Sequence, residues 1–159
     1  MYFEGSIGSA KAHLFQTSKE ITEKYAADGI KAYISVNKAL VTQSSAAIPI
    51  VPLYISILYK VMKEKGVHEG CIEQMYRLFA EKFGADGKPV SGAVDGKGRI
   101  RLDDLEMKPE IQDEVTKLWN ILNADNFKEY TDIEGYWKDF YELFGFGIDG
   151  VDYEADVEV

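Results

Sequence analysis

Between residues 30 and 36 the chain reads Ile-Lys-Ala-Tyr-Ile-Ser-Val, a β-branched and aromatic run long enough for one strand. It is nearly apolar throughout, the pattern of a strand covered on both faces of a parallel sheet. A strand cannot form a sheet alone. The only other short candidate is residues 99–102, and the remainder reads as helix or loop. The sequence therefore predicts an α/β chain, mostly helical with one or two short strands. Its sheet asks for neighbours that this chain does not obviously supply.

The helical segments are delimited by their punctuation. Residues 6–27 place Ile7, Ala10, Leu14, Ile21 and Tyr25 on one face, with Ser6 as the expected N-cap and Asp28-Gly29 as the stop. Residues 37–47 are a polar, small-residue connection. Residues 48–65 carry Pro49 and Pro52 near the start, where a helix tolerates proline, and Gly66 at the end. Further helices are expected over 69–83, 109–122 and 132–144. Between them, residues 84–98 are rich in glycine and read as a mobile surface loop.

Size and charge narrow the classes. At 159 residues the chain is long enough for a sizeable core. No stretch reaches the roughly 18 apolar residues of a membrane span. No basic-then-apolar leader opens the sequence, and the single cysteine, Cys71, suits a reducing compartment, so cytoplasm is the expectation. The net charge of −9 is uneven: residues 1–102 carry 14 Lys/Arg against 10 Asp/Glu, residues 103–159 carry 4 against 17. The acidic half disfavours nucleic acid as a partner, and the mildly basic first half suits an anionic ligand such as a nucleotide or an acyl-CoA.

Three groups of residues have chemical potential. Tyr2 and Lys11 flank Gly5 and Ser6, which break the helix so that the two side chains can converge. An ammonium beside a phenol lowers its pKa and makes it a better donor. By spacing alone the same residues serve as a terminal aromatic and a solvated lysine. Thr42, Gln43, Ser44 and Ser45 follow the predicted strand, at the end where open α/β sheets bind ligands, although a polar loop and helix cap explains them equally. Val51, Ile55 and Tyr59 recur every four residues as a stripe that fits an acyl tunnel or an ordinary core. His13 and His68 lack neighbours at metal-ligand spacing, so no metal site is expected. Asp103, Asp104 and Glu106 read as a solvated turn. Gly145, Gly147 and Gly150 lack the strand–turn–helix setting of a dinucleotide loop.

Four segments taken together resemble the NADH-dependent trans-2-enoyl-CoA and enoyl-ACP reductase family. They are GSIGSAK (5–11), the long run VNKALVTQSSAAIPIVPLYISILYKVMKEKGVHEGCIEQ (36–74), GRIRLDD (98–104) and LFGFGIDGVDYEADV (143–157). The resemblance implies the C-terminal portion of an extended short-chain-dehydrogenase-like Rossmann fold. Residues 1–66 would complete the catalytic domain with its substrate-covering helix. Residues 67–159 would be the helical, acidic segment that the family labels an FAD-binding C-terminal domain.

By the same implication Tyr2 and Lys11 are the family's Tyr-x8-Lys catalytic pair. Lys11, Thr42 and Gln43 meet the nicotinamide end of NADH, with NADPH the less favoured alternative. Tyr2, Val51, Ile55 and Tyr59 meet the enoyl-CoA or enoyl-ACP substrate, and FAD enters by the family label only. Departures are the absent glycine-rich phosphate loop, the absent acidic ribose reader, and Leu105 where the family commonly has tryptophan. The chain alone is accordingly expected to be inactive and to need the N-terminal Rossmann part as partner. The rival expectations are a flavin- or acyl-binding module without chemistry of its own, and an assembly fragment of a split enzyme.

Overall fold

The structure, a computed structural model, describes residues 5–156. In chain order its elements are α1 (Gly5–Lys24), β1 (Ile34–Val36), α2 (Gln43–Ala46), α3 (Val51–Glu64), α4 (Cys71–Glu81), β2 (Arg99–Arg101), α5 (Pro109–Ile121), α6 (Phe127–Tyr130) and α7 (Ile133–Glu142). They gather into two compact units, neither continuous in sequence. The first holds the residues up to Asn37 together with Gln74–Leu102. The second holds Lys38–Glu73 together with the residues from Asp103 onward. The division expected after residue 66 runs through the second of these units.

In the first unit, β1 and β2 form a parallel pair in the register Ile34↔Arg99, Ser35↔Ile100 and Val36↔Arg101. The amide of Leu102 extends the ladder by donating to the Val36 carbonyl at 2.8 Å. The strand is shorter than the seven-residue apolar run predicted, because Ile30 and Ala32 are claimed by the end of α1. The Ile30 amide donates to the Tyr25 carbonyl, and the Ala32 amide donates to the Thr22 hydroxyl at 3.0 Å. Nor is β1 buried on both faces: Ile34 and Val36 are half-buried and Ser35 is exposed, and among the described residues the strand pairs with β2 alone.

Helix α1 begins at Gly5 (φ +66°), so Ser6 lies inside its first turn instead of capping it. Its expected apolar stripe is exposed, with Ile7 and Leu14 nearly half open to solvent. Leu78, Ile100 and Leu102 form this unit's core, with Tyr33, Met75 and Phe83 against it. Residues 84–98, expected to be a mobile surface loop, are built of successive tight turns. Gly87 (φ +73°) closes the first of them. In the last, the Asp95 carboxylate accepts from the Lys97 and Arg99 amides and from Arg99 Nε, and its hydrogen bonds with Arg99 hold its pKa down to about 2.

In the second unit, α3 is the central element and packs on α2, α5 and α7. Ile55, Ile57, Leu58, Tyr59, Val61 and Met62 are all essentially sealed from solvent. One core joins Ile57, Leu58, Val61 and Met62 to Ile111, Val115 and Leu118 of α5. A second joins Ile55 and Tyr59 to Val41 and Tyr136. Proline placement is as the sequence predicts, with Pro52 and Pro109 in the first turns of α3 and α5. Helix α3 is entered through Ile50 at φ +75°, an uncommon conformation for a β-branched residue.

Candidate active site

The loop from Lys38 to Thr42 leads into α2, and every residue of it is specified by a contact. Thr42 caps α2: its hydroxyl accepts from the Ser45 amide at 3.0 Å, and Ser45 Oγ accepts from the Thr42 amide at 2.8 Å, a reciprocal capping box. Ser45 Oγ also donates to the Leu40 carbonyl at 3.0 Å. Thr42 and Gln43 are thus brought together at the mouth of this turn, both exposed.

Behind the turn the support is charged and buried. Lys38 is 3% exposed; its ammonium donates to the Ala39 carbonyl at 3.0 Å and sits 4.7 Å from the centre of the Tyr59 ring. Burial pushes the Lys38 ammonium down to about 8, against the pull of Glu106, Asp139 and Glu69. The Ala39 amide donates to Glu106 Oε2 at 2.7 Å. The other Glu106 oxygen accepts from the Tyr54 hydroxyl at 2.6 Å. Gln112 closes this network, donating to the Tyr54 oxygen and to the Glu106 carbonyl. The Val41 amide points at the Tyr59 oxygen at 3.4 Å.

Burial raises the Tyr54 and Tyr59 phenols, with the negative charge of Glu106 adding to the first and that of Asp139 to the second. Both therefore act as neutral hydrogen-bonding groups at physiological pH. His68 lies edge-on to Tyr59 with ring centroids 4.4 Å apart, and its buried Nδ1 has no hydrogen-bond partner. Burial, reinforced by Lys38 and Lys63, lowers it to about 4, so the ring is neutral.

The remaining candidates are placed as follows. Tyr2 lies outside the described residues. Lys11 is half-buried on α1 in the first unit. On α3, Ile55 (1% exposed) and Tyr59 (0%) face the core, because Val41 and Tyr136 close over them. Of the stripe, Val51 retains accessible surface. With Ile50, Tyr54, Val115 and Trp119 it lines an open, mainly apolar groove of about 330 Å³. Sequence reasoning missed Lys38, Glu106 and Tyr54. No sequence signal marks Lys38, since a lysine in a polar loop is ordinarily solvated, and no spacing rule pairs the other two. Among the described residues no cluster of His, Cys, Asp and Glu could hold a metal ion, and no helix is long and apolar enough to cross a membrane.

The trans-2-enoyl-CoA reductase catalytic region matches residues 1–83, and the enoyl reductase FAD binding domain matches residues 94–157. The chain is 57% identical to the trans-2-enoyl-CoA reductase [NADH] of Ruminiclostridium cellulolyticum. It is 54% identical to the enoyl-[acyl-carrier-protein] reductase [NADH] of Coxiella burnetii. Each alignment covers the whole of this chain and 39% of the relative. Among solved structures, the trans-2-enoyl-CoA reductase of Clostridium acetobutulicum in complex with NADH superimposes with a TM-score of 0.90 at 50% identity. That match covers 99% of this chain and 39% of that one. The Treponema denticola trans-2-enoyl-CoA reductase in complex with NAD gives 0.88 at 45% identity. The chain therefore spans about two-fifths of the length of the proteins it matches.

Proposed function

Because this chain belongs to the trans-2-enoyl-CoA reductase family, we propose that it is the C-terminal part of an NADH-dependent reductase of trans-2-enoyl thioesters. It would carry the catalytic pair, one wall of the nicotinamide site and the helix that covers the substrate. The observation that supports this most directly is the 57% identity across the whole chain. That span includes the Tyr2-x8-Lys11 spacing and the loop of Thr42 and Gln43.

Within the second unit, Thr42 and Gln43 stand exposed on a turn that the capping box fixes, which supports reading them as contacts for the nicotinamide end of the cofactor. The family's Tyr-x8-Lys spacing supports reading Lys11, on α1 of the first unit, as the residue for ribose hydroxyls. NADH, when bound, supplies the hydride that reduces the 2,3 double bond. Tyr2 donates to the thioester carbonyl oxygen, where negative charge develops as hydride reaches the β-carbon; the enolate is then discharged as the α-carbon takes a proton from water. A donor held there contributes on the order of 3 kcal/mol. Lys11 keeps that phenol acidic and orients the ribose. On α3, Val51 meets the acyl chain, and Ile55 and Tyr59 behind it hold the helix surface in place. Flavin enters by the family label of residues 94–157 alone.

The chain's partner is the remainder of the family's length. The exposed stripe of α1 supports this, as does the 39% of each relative's length that the chain covers. Cytoplasm, with a reduced Cys71, is the compartment that fits. Mixing the chain with NADH and crotonyl-CoA should give little or no NADH oxidation. Adding the N-terminal part of a relative as a separate polypeptide should restore it, and Tyr2→Phe should then abolish the rate while NADH still binds. A Tyr2→Phe complex that turns over at the unmodified rate overturns the reading.

A further inference from the structure

Sequence alone puts Glu106 in a solvated turn, yet the structure leaves it only 6% exposed, with both carboxylate oxygens committed. We infer that Glu106 is a positioning residue for the cofactor-side loop: its carboxylate clamps the Ala39 amide, Tyr54 moors that carboxylate to α3, and the turn bearing Thr42 and Gln43 is thereby held in one conformation. The inference rests on the reading of Thr42 and Gln43 as cofactor contacts.

The geometry concentrates its holds just ahead of the turn. Glu106 takes the Ala39 amide at 2.7 Å, Lys38 takes the Ala39 carbonyl at 3.0 Å, and Tyr59 receives the Val41 amide. Of these, the Glu106 contact is the shortest, and its carboxylate acceptor makes it of the kind about twice as strong as a neutral pair. It is also the one that crosses most sequence, joining a loop before α2 to a turn before α5. Gln112 stiffens the far end by bonding both the Tyr54 oxygen and the Glu106 backbone carbonyl at 2.9 Å. Glu106 itself touches neither of the exposed residues at the mouth of the site, so its effect is transmitted through the backbone of residues 39–42.

Amide hydrogen exchange on the chain itself tests the clamp. Glu106→Ala should speed exchange at Ala39 and Val41 by roughly tenfold or more, the loss expected for a hydrogen bond to a charged group. Protection across α7 should be unchanged. Glu106→Gln, which keeps an acceptor for the Ala39 amide, should recover most of it. If Glu106→Ala does not fold, Tyr54→Phe releases one carboxylate oxygen and should give a smaller acceleration at the same amides. Unchanged exchange over residues 39–43 in whichever variants fold overturns the clamp.

In the complex with the N-terminal polypeptide, Glu106→Ala should raise the NADH KM by about tenfold while the KM for crotonyl-CoA stays put. Faster exchange with an unmoved NADH KM overturns the positioning role and leaves Glu106 a residue of the fold. A complex that never turns over, even unmodified, fails the reductase reading and takes the positioning role with it, whatever the exchange shows.

Discussion

Gly135→Ala should destabilise the second unit, although a glycine-to-alanine change within a helix ordinarily stabilises it by up to about 1 kcal/mol. Gly135 lies in the first turn of α7, whose N-cap is Asp132; Oδ1 of that carboxylate accepts from the Gly135 amide at 3.1 Å. Its Oδ2 pairs with Lys63 of α3 at 2.5 Å. A Cβ on residue 135 would stand hard against Asp132 Oδ2 and 2.6 Å from Lys63 Nζ. Both atoms are ends of flexible side chains, so the methyl is accommodated by swinging them away, at the expense of the contacts they make. Losing the cap costs about 1 kcal/mol. Losing the ion pair costs about 0.5 kcal/mol, because Lys63 is 44% exposed.

Set against the propensity gain, the net loss is on the order of 0.5–1 kcal/mol. With Asp132→Ala in the background the obstruction is gone, and the same Gly135→Ala change should stabilise. The coupling between the two sites should then be about 1–2 kcal/mol. Urea unfolding followed by tryptophan fluorescence reads this out, since both tryptophans, Trp119 and Trp137, lie in the second unit. A Gly135→Ala gain that is the same with and without Asp132 refutes the reasoning.

Three further outcomes are expected. Ile50→Gly should stabilise by about 1 kcal/mol, because it relieves a β-branched residue held at φ +75° while giving up a side chain that is 62% exposed; chemical denaturation in which Ile50→Gly is less stable than the parent contradicts the strain. His68 has its pKa lowered from 6.5 to about 4 in the fold, so the unfolded chain takes up a proton that the folded one refuses; stability should fall as pH drops from 6.5 toward 4, by up to about 2 kcal/mol, and His68→Phe should flatten that fall in acid titrations followed by circular dichroism. Lys38 has its pKa lowered to about 8, so between pH 8 and 10.5 the unfolded chain holds the extra proton; over that window the wild type should gain stability relative to Lys38→Met, and parallel pH profiles for the two would show that Lys38 keeps an ordinary pKa.

Helices with strong punctuation were legible from the residues. Pro109 and Pro52 mark first turns, Gly66 and Gly29 mark stops, and the observed α3, α5 and α7 agree with the expected spans to within a few residues. Less legible was anything decided by a distant partner. The capping box of Thr42 and Ser45 was visible as a polar loop, but a four-residue α2 has no period to betray it. β1 is shorter than its apolar run because that run reports what a strand is suited to, while Ile30 and Ala32 are bonded to Tyr25 and Thr22 at the end of α1. The stripe of α1 was read correctly as a stripe, yet burial does not follow from periodicity when no surface covers it. Glu106 shows the limit most clearly: Asp-Asp-Leu-Glu has the composition of a solvated turn, and its burial depends on Tyr54 and Ala39, residues more than fifty positions earlier.

The discontinuity of the second unit has a consequence for synthesis. Helix α3 leaves the ribosome with Ile57, Leu58, Val61 and Met62 bare, and the residues that shelter them, Ile111, Val115 and Leu118, are translated some fifty residues later. At roughly 5–20 residues per second, that sticky surface waits several seconds for its cover. The yield of such a nascent chain should depend more on translation speed and temperature than on the stability of the finished fold.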